Sequence, residues 1–258
     1  MLRLDPEDED AEEMIKWEAE DDAAKELEAA LAAQHAETMV MLGIPAGNVG
    51  ADWMPPSIVV ASPTSLAGQL PSAGMQATLS GVMMNASTLG VRTAADTLAR
   101  AEIGVNWQLA NVLARDWAKS YSYSTVEDLN LTTAEWLGEK ISKWIDDGKP
   151  LIDLRRELKA VWSEKRARTI AVTEVTRAFV HGSLAVYRGV PGIEQVSWRT
   201  AINDVCPVCR PMHGTRGNMA GVFEGGLSIP AHARCRCWVA PVVEKARVAA
   251  LLPKPNGA

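Results

Sequence analysis

The sequence predicts a mainly α protein with a small β-region at its C-terminal end, an α+β arrangement in which the β-region is stapled by cysteines. Three observations carry this. Apolar residues return at helical spacing over most of residues 9–188. Residues 195–200 switch to alternation, with Val196 and Trp198 on one side. All four cysteines, and two of the four histidines, fall between Trp198 and Pro241. The 258 residues, 47% of them apolar, suffice for one large domain or two smaller ones.

Taken in order, residues 9–42 read as an acidic helix in which Met14, Trp17, Ala24, Leu27, Leu31 and Met39 return at three- and four-residue steps and their multiples, ended by Gly43 and Pro45. Residues 1–28 hold thirteen acids against three bases, while the rest of the chain holds nineteen against twenty-three. The net charge of −6 therefore resolves into an acidic arm and a mildly basic body. Residues 43–75, with five prolines, read as an extended linker that isolates the arm, so that removal of residues 1–42 is expected to leave a folded body.

A helical body is expected over 76–192. Its first part, 76–120, is a long helix or helix pair with a bend near Gly104. A turn is expected at the Tyr-Ser-Tyr-Ser run 121–124. A new helix is then expected to start with Thr132 as N-cap and Glu135 three residues on, and to stop at Gly148 and Pro150. A short helix over 151–161 precedes the most strongly patterned one, 163–188, which Gly189 to Gly192 end. Strands are expected at 195–200 and 237–243, inside a β-subdomain spanning 193–245, with 246–258 as a tail.

No leader is visible and no run approaches the roughly 18 apolar residues of a membrane span, so no membrane partner is expected and folding in a reducing cytosol is. In that setting clustered cysteines point to metal more than to disulfides. Cys206-Pro-Val-Cys209 has the spacing that lets one tight turn aim two sulfurs at an ion, and His232, Cys235 and Cys237 follow. The pattern predicts a closed, structural Zn2+ site with ligands Cys206, Cys209, His232 and Cys235. Cys237 is the alternative fourth ligand, otherwise read as a core or outer thiol. His213 is a weaker candidate, read as a loop residue. Asp204 is expected to orient a ligand or cap the Cys206 turn, and Glu224 belongs to no hydrolase motif. Arg166, Arg168 and Arg177 on the 163–188 helix are possible nucleic-acid contacts, although Glu174 and Arg177 are one turn apart and can pair.

Three pieces in order carry a resemblance. They are Arg168 to Ala178 on a helix, Val196 to Cys209 followed by His213-Gly214, and Pro230-Ala-His232-Ala-Arg-Cys235-Arg-Cys237. Together they resemble the phage Mu protein F-like family of minor head proteins, also called the SPP1 head morphogenesis family, over roughly residues 76–243. Ala233 departs from the family pattern, where proline is usual, and costs no ligand. The resemblance implies a minor capsid protein of a tailed bacteriophage. It would sit in the virion, at the capsid interior or portal vertex, after assembly in the host cytoplasm. It implies association with the portal protein, major capsid or scaffold proteins and packaged DNA as further possible partners, and no enzymatic activity; with residues 242–258 following Pro241, no appended enzyme domain is expected. Two other readings make different demands. A zinc-dependent nucleic-acid-binding module needs a basic groove, and a metallohydrolase needs an open metal position.

Overall fold

A computed structural model describes residues 6–46, 62–201 and 205–243. Six helices come first: α1 Pro6–Met41, α2 Pro63–Ala67, α3 Ala73–Arg100, α4 Trp107–Asp147, α5 Leu151–Lys159 and α6 Glu164–Arg188. Three short strands follow, β1 Gln195–Arg199, β2 Arg216–Asn218 and β3 Trp238–Pro241. They form one antiparallel sheet in the order β2-β1-β3, with Val196 opposite Gly217 on one side and Pro241 on the other. The predicted class, mainly α with a small C-terminal β-region, is the observed one.

The chain divides into two compact units. The first combines residues 1–21, 82–119 and 171–258; the second combines 22–81 and 120–170. In the first, α3 and α6 meet backbone to backbone. A Cβ on Gly90 would lie 2.0 Å from the Phe179 carbonyl oxygen, and one on Gly182 would lie 2.0 Å from that of Ser87. Ser183 Oγ donates to Gly90 O at 3.2 Å and to Phe179 O at 3.1 Å, so the hydroxyl is satisfied inside the contact. The same unit carries the sheet on a core that includes Val91, Leu98, Phe179, Leu184, Trp198, Phe223 and Trp238. Trp198 and Phe223 meet edge to face at 4.9 Å. Gly217 in β2 leaves room for Phe223, whose ring a Cβ would approach to 2.8 Å.

The second unit has a polar hub in its core. Gln34 donates to Pro71 O at 2.8 Å and to Asn130 Oδ1 at 2.9 Å, and accepts from Trp162 Nε1 at 3.0 Å. Buried Leu27, Leu31, Leu42, Leu66, Leu70, Leu137, Leu154 and Leu158 supply its apolar filling.

Several expected boundaries move. Residues 1–42 do not stand apart as an arm: from residue 13 onward one stripe of α1 is buried, including Lys16, Glu20, Leu27 and Leu31. Nor is 43–75 linker throughout. Ser62 caps α2, accepting from Ser65 N at 3.3 Å, and Leu66, Leu70 and Met75 are buried. Residues 47–61 and 244–258 lie outside the described residues. The break near Gly104 is present, between α3 and α4, but the expected turn at 121–124 and helix start at Thr132 are not. Here α4 runs straight through, because its hydroxyls bond back into the helix. Ser124 and Thr125 donate to Tyr121 O, Thr132 to Asp128 O and Thr133 to Leu129 O. A hydroxyl donating to the carbonyl one turn back is no longer the acceptor an N-cap requires.

Candidate metal centre

Two tight turns, both anchored on β1, bring the cysteines together. Past the end of β1, Cys206-Pro-Val-Cys209 closes on itself: Arg210 N donates to Cys206 O at 3.0 Å, and Cys209 N donates to Cys206 Sγ at 3.3 Å. The chain then returns to β1, with Gly214 N donating to Trp198 O at 2.8 Å and Trp198 N to Thr215 O at 2.9 Å. The second turn, 232–235, closes through Cys235 N to His232 O at 3.1 Å, with Arg234 in the left-handed region at φ 62°. Arg234 N donates to Thr173 Oγ1 of α6 at 2.9 Å. The chain leaves this turn directly into β3, whose Trp238 pairs with Arg199 of β1.

The side chains converge as a result. His232 Nε2 lies 3.0 Å from Cys206 Sγ and 3.3 Å from Cys209 Sγ, and Cys209 Sγ lies 3.8 Å from Cys235 Sγ. Within 4.8 Å of one another stand the ligand atoms of Cys206, Cys209 and His232, and likewise those of Cys209, Cys235 and Cys237. Each group can hold a metal ion, and Cys209 belongs to both. An amide donating to the first sulfur of the pair lowers the cost of holding it as thiolate, the form a metal requires.

Cys237 stands beside Cys235. Residues 232–237 are not strand, since β3 begins at Trp238; even on a strand, positions two apart would share a face, so alternation gives no reason to separate the two thiols. Their thiols hydrogen-bond. Holding that bond pulls Cys235 down to about 5, while Cys235 and burial push Cys237 far up. Cys237 is then the protonated donor and Cys235 the thiolate acceptor. Burial, with the neighbouring Cys235, pushes Cys209 up to about 12. At Cys206 burial is the largest influence and acts upward, but the Cys209 amide and thiol, His232 and the Val208 amide together outweigh it and the thiol is lowered. For His232 burial acts downward, yet the Ala233 carbonyl and the Cys235 and Cys206 sulfurs raise it overall.

The remaining candidates are elsewhere. His213 Nδ1 lies 2.9 Å from Thr200 Oγ1, in the loop role expected for it, and is not among the metal-capable groups. Glu224 is exposed in a 3-10 turn, and Asp204 lies outside the described residues. Arg166 is not poised for nucleic acid, because its guanidinium is used internally. It donates to Val161 O at 2.8 Å, Leu129 O at 3.2 Å and Thr133 Oγ1 at 2.9 Å, and lies 4.8 Å from the Trp136 ring. Arg177 pairs with Glu174 at 3.2 Å, as their spacing predicts. Arg168 is exposed on α6.

Fold and site together define a mainly helical protein whose small antiparallel sheet carries a Cys/His cluster able to hold a metal ion. Residues 136–240, from within α4 to β3, match the family model described as Phage Mu protein F like protein. That family indicates a phage head protein and a place in the virion, in agreement with the resemblance read from the three sequence pieces. No curated protein and no solved structure matches the chain. Among the described residues no helix is long and apolar enough to cross a membrane.

Proposed function

We propose that this chain is a minor head protein of a tailed phage that associates with the portal protein and acts in head morphogenesis or DNA packaging and ejection. In this reading a structural Zn2+ braces its C-terminal sheet and the chain has no enzymatic activity. The observation that carries the metal part is the convergence of Cys206, Cys209 and His232 on one point, with Cys235 3.8 Å from Cys209. Thiolate and imidazole are the donors zinc prefers, and four of them close a tetrahedral site. Cys206, Cys209, His232 and Cys235 would hold the ion. Cys237, hydrogen-bonded to Cys235, would orient that ligand from outside, in the way second partners commonly do.

Bound zinc would supply a fixed cross-link between the two turns. Among the described residues, the groups that can hold it contain no carboxylate, the usual companion of hydrolytic zinc. The portal part rests on the family match over residues 136–240. The nucleic-acid reading is weaker, because Arg166 is committed within the fold and Arg177 to Glu174.

The test is metal analysis of the purified chain together with co-purification against the portal protein of the same phage. One zinc per chain and a stable complex are expected. Protein without zinc overturns the metal assignment; zinc-loaded protein that does not retain the portal overturns the head-assembly assignment.

A further inference from the structure

The turn that carries Cys235 is gripped from the far end of the sequence. Lys16 of α1 is 1% exposed, its ammonium donates to Arg236 O, and it stands 5.8 Å from the Trp238 ring. Arg236 itself reaches back to α1. Its Nε donates to Glu20 Oε2 at 2.7 Å, and its guanidinium lies 5.4 Å from the Trp17 ring. Glu20 is also 1% exposed. Arg236 is the residue between Cys235 and Cys237, so one helix holds its carbonyl, its guanidinium and the ring two residues on.

Burying an ammonium is costly unless negative charge meets it. Burial pulls Lys16 below the usual lysine range; Glu20 opposes this most strongly, but its carboxylate is shared with Arg236. Next, ahead of Glu13, comes the hydrogen-bonded pair Cys237 and Cys235, whose negative charge sits on the Cys235 thiolate. On the other side of the turn, zinc held by three thiolates and a neutral imidazole carries one net negative charge. Each charge is half of a pair that is unfavourable to bury alone.

Resting on the zinc reading above, we infer that Lys16 is a positioning and charge-balancing residue of the metal centre, so that zinc binding and the seating of residues 13–21 on the Cys235 turn form one linked equilibrium. Lys16 fixes the peptide that presents Cys235 and offsets the charge of the loaded site. In return the loaded site makes burial of Lys16 favourable, and linkage of this kind is reciprocal.

The experiment uses the full-length, zinc-loaded protein. Zinc release to the chromogenic chelator 4-(2-pyridylazo)resorcinol is timed for wild type and Lys16→Met, and amide hydrogen exchange of residues 13–21 is followed with and without EDTA. Lys16→Met is expected to release zinc about tenfold faster, within the range for loss of an outer partner of a metal ligand. EDTA is expected to speed exchange across residues 13–21. If Lys16→Met does not fold, Glu20→Gln, which keeps the side-chain shape, is read the same way and is expected to speed release several-fold. Wild-type release rates in the variant, or exchange at 13–21 indifferent to EDTA, overturn the coupling while leaving the zinc site standing. A wild-type protein that purifies without zinc overturns the site itself and the coupling with it.

Discussion

Arg166 spends its guanidinium on two carbonyls and a hydroxyl, with the Trp136 ring beside it. Burial pulls its pKa down to about 10, still high enough to stay charged. Arg166→Ala strands those acceptors and is expected to cost about 2–4 kcal/mol, read from denaturant unfolding, with no change in any DNA retention. His181 offers a second residue-scale test. It stacks on Trp117 at 3.9 Å, and burial, helped by Arg188, holds it down to about 4. Its folded pKa lies below its unfolded value of about 6.5, so the unfolded chain takes up the proton first. Stability should therefore fall as pH drops from about 6.5 towards 4. His181→Phe, which keeps a ring on Trp117, should flatten that part of the profile in urea melts at stepped pH. Cys206→Ser and Cys235→Ser should each lower the melting temperature well below wild type, since zinc in small modules supplies on the order of 10 kcal/mol. Melting at the wild-type temperature would mean that the site braces nothing.

At the scale of elements, the α3–α6 crossing is set by backbone contact at Gly90 and Gly182. Adding one methyl by Gly182→Ala forces the helices apart and should cost about 1–3 kcal/mol, measurable by chemical denaturation, despite alanine's better helix propensity. Thr132→Ala tests the opposite case. A lost N-cap costs about 1 kcal/mol, whereas a mid-helix threonine bonded to Asp128 O should be replaced with little loss or a slight gain. The difference shows what sequence reading can reach. Where Gly, Pro and apolar spacing act locally they placed the ends of α1, α5 and α6 and the course of β1 and β3. The interior of α4 deceived because Ser and Thr suit both caps and back-bonded helix, and only the surroundings decide between them. The three-residue β2 has no alternation to detect; β1 recruits it. The spacing of Cys206, Cys209, His232 and Cys235 made that cluster visible. Lys16 gave no such sign, since a lysine amid acids reads as a solvated ion pair until packing shows it buried.

For the whole molecule, the chief revision concerns residues 1–42. As an arm on a linker they would be dispensable. As packed, they bury Leu27, Leu31 and Leu42 to 2% exposure or less. At about 1.5–3 kcal/mol for each buried side chain, these three alone approach the full stability of many domains. Deleting residues 1–42 should therefore abolish a cooperative thermal transition in circular dichroism, and a truncated chain that melts like wild type would return the segment to the status of an arm.

The stretch between the two cysteine turns offers a practical handle. Gly225 and Gly226 are exposed, take positive φ of 71° and 75°, and have no heavy atom within 4 Å of where a Cβ would stand. Closing a longer loop costs only about 0.6 kcal/mol for each doubling of its length. A short epitope or a fluorophore-binding peptide spliced in here should therefore leave both turns intact, and would let the protein be counted and located in assembling phage heads.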